Sequence, residues 1–250
     1  MRVSVLVLAK NESNNIEPCL KSVEWADEIV VVDTGSTDDT VLKAKAFTAK
    51  VFVTKWQGFA GTKNWGLQKV TGDWVLWLDA DERVTPELAE EIQHALENPA
   101  YDGYRIPRKA NFLGHWIRHS GWYPGYVLRL VKKDLAHFVE TRVHEGLEAP
   151  PRVGRLKHPL LHFTDPTLEH YFTKFNRYTT LAALDLKDRG RRFHLYDLLF
   201  RPAHLFVKMY ILKAGFLDGF AGFLLAALSG FYVFVKYAKL YELLRKDSFG

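Results

Sequence analysis

Two aspartates separated by a single residue, Asp79 and Asp81, follow directly on the apolar run Trp74–Leu78. Carboxylates that close repel one another unless a hard divalent cation, held through oxygen ligands, or a positive ligand offsets their charge. Read alone, the pair could simply cap a turn, because short acidic patterns often arise by chance. Its position favours the first reading. The apolar run Val3–Leu8 is followed by Ala9 and the polar stretch Lys10-Asn11-Glu12-Ser13, and Glu28–Val32 by Asp33-Thr34-Gly35-Ser36-Thr37-Asp38-Asp39. Ligands of a parallel α/β sheet bind outside the carboxyl ends of its strands, so polar residues just after apolar runs are the first candidates for chemistry. Taken singly, the Asp33 segment is also readable as a tight turn with Thr37 or Asp38 as a helix cap.

The elements that must position these groups are legible in outline. Short apolar runs at Val3–Leu8, Glu28–Val32, Val51–Thr54 and Asp73–Leu78 alternate with helical or polar stretches, the spacing of βαβ units. Ile16, Leu20 and Val23 keep helical spacing, Val41, Ala44 and Ala46 do so less cleanly, and a third helix is expected to begin near Phe59. After the fourth run, Thr85 is a natural N-cap with Pro86 at the first helical position and Glu87 at the positive end, and Leu88, Ile92, Ala95 and Leu96 share one face. From Tyr101 to about Glu148 short extended segments dominate: Tyr104–Pro107, His115–Arg118 and Tyr126–Val131. From Thr167 onward the pattern turns helical again.

Composition narrows the class. With 250 residues, 48% of them apolar, the chain can bury a full core as one α/β domain with an appended segment. Cys19 is the only cysteine, so no internal disulfide exists and a reducing compartment suits the chain. The run Arg2–Ala9 is short, β-branched and lacks a small-residue cleavage pattern, so it reads as a buried strand rather than a signal peptide. Residues 151–250 carry 16 Lys/Arg against 8 Asp/Glu, whereas 1–150 carry 18 against 21. A basic, aromatic C-terminal part points to an anionic partner.

Four stretches, AKNES, VVDTGSTDDT, GTKNWGL and GDWVLWLDADERV, resemble in order and spacing the inverting GT-A enzymes of glycosyltransferase family 2. GWYPGYVLRL, RVHEGL, LLHFTD and the region of Lys174, Asn176 and Tyr178 narrow the likeness to lipopolysaccharide core enzymes that add a β-1,4-linked glucose to an inner heptose. The resemblance implies a GT-A fold with a Rossmann-like, mostly parallel central sheet over residues 1–165, a nucleotide-sugar half at 1–100, an acceptor half at 101–165, and an amphipathic helical segment at 166–250. It implies a UDP-hexose donor, Mg²⁺ or Mn²⁺ as cofactor, and a lipid-linked glycan as acceptor. By position, Glu12 and Asp33 would contact ribose and base, Lys63 base or diphosphate, and Asp79 the ribose, while Asp81, with Asp79, would hold the metal. Glu145 in Arg142-Val143-His144-Glu145-Gly146 would be the base that takes the acceptor proton, with Glu140 and Glu148 as rivals. Trp122, Tyr123, Arg129 and His144 are expected on the acceptor side; with Trp116, His119 and Tyr126, the first two offer flat faces and polar edges suited to a sugar, although core packing explains some of these rings equally well. His144, His158 and His162 read as packed or hydrogen-bonded, since the acid pair already offers the oxygen ligands Mg²⁺ prefers. Transfer to a polyprenyl phosphate is the family alternative, and that acceptor would need no strong base. An oxidoreductase is disfavoured, because no Gly-x-Gly-x-x-Gly follows the first strand.

The stretch Ala214–Val235 is long enough to span a bilayer, but Leu195–Lys213 before it mixes Arg201, Lys208 and Lys213 with Phe200, Leu205, Phe206 and Tyr210. That mixture is characteristic of an interfacial helix. The expectation is peripheral attachment to an anionic membrane surface, at the inner face of the cytoplasmic membrane. Nucleic acid is excluded as a partner because it would explain neither the apolar length nor the acid-lined crevice.

Overall fold

The computed structural model describes residues 1–139 and 146–247. By contact density the chain forms two compact units, one made of Met1–Lys109 and Gly125–Phe163, the other of Ala110–Pro124 and Thr164–Gly250.

In the first unit the four apolar runs become β1 (Val3–Ala9), β2 (Glu28–Asp33), β3 (Val51–Val53) and β4 (Trp74–Asp79), linked through α1 (Ile16–Lys21), α2 (Thr40–Lys45) and α3 (Phe59–Leu67). They pair in parallel in the order β3-β2-β1-β4, because each helical connection returns the chain to the same end of the sheet. Val5, Leu6 and Val7 are fully buried, as strands covered on both faces require. One face packs on α1 and α4 (Pro86–Glu97) through Ile16, Leu20, Leu88 and Ile92. The other packs on α3, where a side chain at Gly66 would collide with Leu6 and Val32, so glycine lets the helix lie close. Thr85 caps α4 by accepting from Leu88 N at 3.2 Å, with Pro86 following, in agreement with the sequence expectation.

Beyond β4 the sheet continues with antiparallel neighbours. The order runs from β4 to β8 (Gly125–Lys132), β6 (Gly103–Phe112), β12 (Leu160–Asp165) and β5 (Glu82–Val84). The first four strands are thus all parallel, and the far part of the sheet brings β5 and β12, antiparallel to each other, back toward the end of β4. The short strands β7 (His115–Trp116) and β11 (Val153–Arg155) pair with β6. The strand expected over His115–Arg118 is therefore two residues long, and Arg118 instead donates its backbone N–H to Asp218. β9 (Phe138–Val139) and β10 (Gly146–Leu147) form a separate antiparallel pair.

The second unit is helical: α5 (Leu168–Asp188), α6 (Leu195–Val207) with a π-helical extension over Lys208–Leu212, and α7 (Gly219–Asp247). The apolar stretch 214–235 is not one element. Ala214 takes φ 52° and Gly219 φ 60°, and the 3₁₀ turn Gly215–Asp218 between them breaks the helix. The segment Gly215–Lys246 is still long and apolar enough, by length and composition, to cross a membrane.

Candidate functional site

Strand register builds the first part of the site. On β1, Ala9 stands opposite Asp33 of β2 and Leu8 opposite Asp79 of β4, so the two aspartates flank the carboxyl end of the central strand. Asp33 is fully buried, and its carboxylate accepts from Gly35 N (2.9 Å), Ser36 N (2.8 Å) and the Ser36 hydroxyl. Gly35 follows with φ 91°, a conformation that glycine adopts without strain. Asp33 thus shapes its own loop, the local role that its sequence also allowed. Glu12 lies in the adjoining loop, its carboxylate accepting from the Asn15 side chain at 2.9 Å.

Asp79 meets a cation from β8. Arg129, 2% exposed, reaches Asp79 Oδ2 at 2.9 Å and Glu82 Oε1 at 2.5 Å through one nitrogen, Nη2. Its guanidinium carbon lies 3.4 Å from the centre of the Trp77 ring, and Lys63 Nζ is 3.9 Å from the centre of the same ring. Glu82, completely buried, also accepts from the Asp79 backbone N–H at 3.1 Å, which fixes the turn between β4 and β5. Burial alone would push the Asp79 carboxyl up, but Arg129, Lys63 and His162 together pull it down to about 2. Among the described residues Arg129 Nε and Nη1 are buried without a hydrogen-bond partner, an arrangement that calls for an acceptor.

Asp81 faces a different partner. β12 pairs with β5 in the register His162↔Glu82, and Phe163 N donates to the Asp81 carbonyl at 2.9 Å. His162 Nε2 thereby lies 3.3 Å from Asp81 Oδ2, with the two side chains 15% and 17% exposed. The acid pair therefore splits: Asp79 is held by Arg129, and Asp81 stands with an imidazole. Among the described residues no three His, Cys, Asp or Glu side chains cluster tightly enough to hold a metal ion unaided.

Lys63 is buried in a box of Phe59, Trp77 and Phe138 rings. Its neighbour Asn64 bonds both backbone groups of Phe138, each at 2.8 Å, and so pins β9 to α3. Residues 140–145, which include Glu140, His144 and Glu145, lie outside the described residues, between β9 and β10 in sequence. Glu148 is exposed, with its backbone N–H bonded to His137 O at 2.8 Å. Of the side chains expected on the acceptor side, Arg129 sits in the first unit with the acids. Trp122 and Tyr123 belong to the second unit, where Trp122 packs edge-on against Phe112 at 6.4 Å. Glu82 and Trp77 were not singled out by sequence, where Glu82 reads as the tail of an acidic motif and Trp77 as strand core, and His162, read there as packed or hydrogen-bonded, is joined to Asp81 only by strand pairing.

A profile of glycosyl transferase family 2 matches residues 4–146, more than half of the chain, including the acid-bearing ends of β2 and β4 but not β11 or β12. The chain belongs to glycosyl transferase family 2. Over 248 residues it is 29% identical to the lipopolysaccharide core biosynthesis glycosyltransferase LpsC of Rhizobium meliloti (strain 1021), covering 96% of this chain and 92% of that one. Among solved structures, the mannosyltransferase PcManGT from Pyrobaculum calidifontis, in complex with GDP-Man and Mn²⁺, superposes with a TM-score of 0.57 at 17% identity, covering 96% of this chain and 87% of that one. S. aureus TarS 1-349 in complex with UDP-GlcNAc gives 0.51 at 16%, covering 99% and 92%. These likenesses establish a GT-A-like fold for this family 2 transferase, in which the first four strands are parallel and helices follow in the C-terminal part of the chain.

Proposed function

We propose that this family 2 enzyme transfers a hexose, glucose by resemblance, from a UDP-sugar to a lipid-anchored glycan of the lipopolysaccharide inner-core type, with inversion at the anomeric carbon. The observation that carries the proposal is the division of labour at the end of β4, where Asp79 is neutralised by Arg129 and Asp81 stands with His162. A carboxylate oxygen and an imidazole nitrogen, both reachable from solvent, suit a transition-metal ion such as Mn²⁺ better than Mg²⁺, which favours oxygen alone. Asp81 and His162 would hold that ion, with donor phosphates and water completing its shell. Once bound, it would offset the charge of the departing diphosphate.

The remaining tasks fall to the chain itself. Ionised Asp79, which the resemblance sets by the ribose, would accept from sugar hydroxyls, and Arg129 keeps it ionised. The unpartnered Arg129 nitrogens, Nε and Nη1, would donate to a donor-sugar or phosphate oxygen, a donor-side role in place of the acceptor-side one that the resemblance implies. In the transfer step the acceptor oxygen bonds to the anomeric carbon, the bond from that carbon to the phosphate oxygen breaks, and UDP leaves with the electron pair. The acceptor proton passes to Glu145. An anionic membrane surface at the cytoplasmic face would supply the lipid-anchored acceptor, and the single cysteine, Cys19, suits that reducing side.

The test is calorimetric titration of UDP and UDP-glucose with Mn²⁺ and with chelator, followed by transfer to delipidated and intact lipid-linked core acceptors. Metal-dependent UDP binding with transfer to the core acceptor supports the reading. Transfer to a polyprenyl phosphate instead would replace the acceptor, and binding of no nucleotide would remove the donor site.

A further inference from the structure

Along α6 the usual distribution of side chains is inverted. Leu199 (59% exposed) and Phe200 (68%) face solvent, whereas Asp197 on the same helix is fully buried. The apolar surface continues past the π-helical extension into the corner before α7, with Leu212 at 71%, Phe216 at 50%, Leu217 at 61% and Phe220 at 76%. Soluble surfaces carry single exposed apolar residues routinely, but a contiguous ridge of large ones marks an interaction surface.

The charges decide what that surface meets. Both carboxylates between Leu195 and Phe220 are turned inward and paired. Asp197 bonds Arg191 at 3.2 Å and Arg201 at 2.5 Å, while Asp218 accepts from the backbone N–H groups of Arg118 (3.2 Å) and His119 (2.8 Å) and lies 3.0 Å from His119 Nδ1. Lys208 and Lys213 remain exposed within the ridge. The stretch therefore shows solvent apolar groups and ammonium groups, with its acids withdrawn. A two-fold pairing with a second copy would set these lysines in a shared patch without carboxylates from the same stretch, a costly arrangement. An anionic bilayer complements both features, since acyl chains take the aromatic and aliphatic groups and phosphates take the lysines.

Crossing the bilayer is opposed by the packing of α7. Its Phe231 stacks on Phe175 of α5 at 5.5 Å, and Tyr232 donates to the Tyr178 carbonyl at 3.1 Å. Lys239 reaches the Asn176 side chain at 2.8 Å and the Thr179 hydroxyl at 2.9 Å, while a side chain at Gly230 would press on the Pro202 carbonyl of α6. A span would strip α7 of all these contacts and carry Lys236 and Lys239 toward hydrocarbon.

We propose that α6 and the 208–220 corner form an in-plane docking ridge for the anionic phospholipid surface, with α7 held on the protein side rather than crossing. The proposal deepens the reading of a lipid-anchored acceptor and rests on it. Flotation of the full chain with phosphatidylcholine vesicles, with and without phosphatidylglycerol, tests it. Wild type should float with the phosphatidylglycerol vesicles at low salt, less so at high salt, and be released by alkaline carbonate. Lys208→Gln with Lys213→Gln should weaken partitioning by about 30-fold, from roughly fivefold per lysine. Leu212→Glu with Phe216→Glu and Phe220→Glu should stay in the soluble fraction while keeping the wild-type melting transition and Mn²⁺-dependent UDP affinity. Failure of wild type to float, resistance to carbonate, or equal flotation of both variants would overturn the ridge. So would a wild-type dimer in light scattering that the triple variant abolishes. UDP affinity measured on the same samples tests the donor site separately, so its loss in wild type would count against the transferase reading and not against the ridge.

Discussion

His162 Nε2 stands 3.3 Å from the Asp81 carboxylate because antiparallel pairing of β12 with β5 folds the far edge of the sheet back onto the end of β4. The contact gives Asp81 a neighbour that Asp79, held by Arg129, does not share. If Asp81 and His162 hold the cation, Asp81→Asn and His162→Ala should each abolish or sharply reduce the Mn²⁺-dependent part of UDP affinity and leave the chelator-insensitive part in place. Loss of the imidazole should cost at least the about 10- to 100-fold typical of losing an outer-shell partner. Calorimetry in Mn²⁺ and in chelator reads this directly, and wild-type affinity in both variants would remove the pair from the metal.

Glu82 and Arg129 form the buried ion pair behind that site, with Glu82 fully enclosed and Arg129 nearly so. Removing one partner leaves a charge in the interior, so Arg129→Met should cost about 3–5 kcal/mol in denaturant unfolding. Adding Glu82→Gln to that variant should recover part of the loss, which a simple packing defect would not. The same substitution should let Asp79 rise from about 2 toward the ordinary carboxylate range. Sugar-nucleotide binding in Arg129→Met should then fall on acidification at a higher pH than in wild type, provided the variant is folded by circular dichroism.

How far this site could be read beforehand depends on whether residues are local in sequence. The parallel strands, the helix cap at Thr85 and the placement of Asp33 and Asp79 beside β1 follow from apolar periodicity and from the right-handed βαβ connection, both local properties. The partners of His162 and Arg129 could not be read from sequence, which takes His162 as packed or hydrogen-bonded and sets Arg129 on the acceptor side by resemblance, because an antiparallel return strand sets its register through the turn and sheet it joins rather than through its own pattern. The helical break at Ala214–Gly219 was hidden for a related reason. Its glycines fit a membrane helix as readily as a corner, and only the capture of Asp218 by the Arg118 and His119 backbone explains why the chain turns there.

Far from the donor site, Glu28 ties the amino ends of three segments by accepting from Lys50, Ser4 and the Thr71 backbone and hydroxyl. Burial would raise its pKa, but these bonds bring it down to about 2. Asp102, bonded by Arg152 and Lys132, is likewise well below the usual range. A depressed carboxylate contributes stability that is present above its unfolded pKa and lost as pH falls through the folded value. Thermal stability should therefore hold down to about pH 4.5 and decline steeply toward pH 2. Glu28→Gln should cost about 1–3 kcal/mol at neutral pH and flatten that decline, a comparison that melting curves across the range supply.

The base remains the most exposed assignment, because Glu145 rests on the resemblance of Arg142-Val143-His144-Glu145-Gly146 and the fold constrains only its neighbours. β10 begins at Gly146, directly after it, and pairs with β9, which Asn64 anchors to the same helix that carries Lys63. A base must lie within hydrogen-bond reach of the acceptor hydroxyl, so it gains from attachment to an element of the donor site. Glu145→Gln retains shape and hydrogen bonding but cannot take the proton. Turnover should drop by about 10²–10⁴-fold with little change in UDP affinity, and the acidic limb of the pH–rate profile should vanish. Asn64→Ala frees β9 without touching a titrating group, so it should lower turnover while leaving that limb in place. Glu148→Gln, on an exposed side chain beyond β10, should be mild, as should Glu140→Gln. If Glu145→Gln turns over normally and one of those two does not, the base belongs to that residue; if all three turn over normally, the acceptor is already ionised, as a polyprenyl phosphate would be.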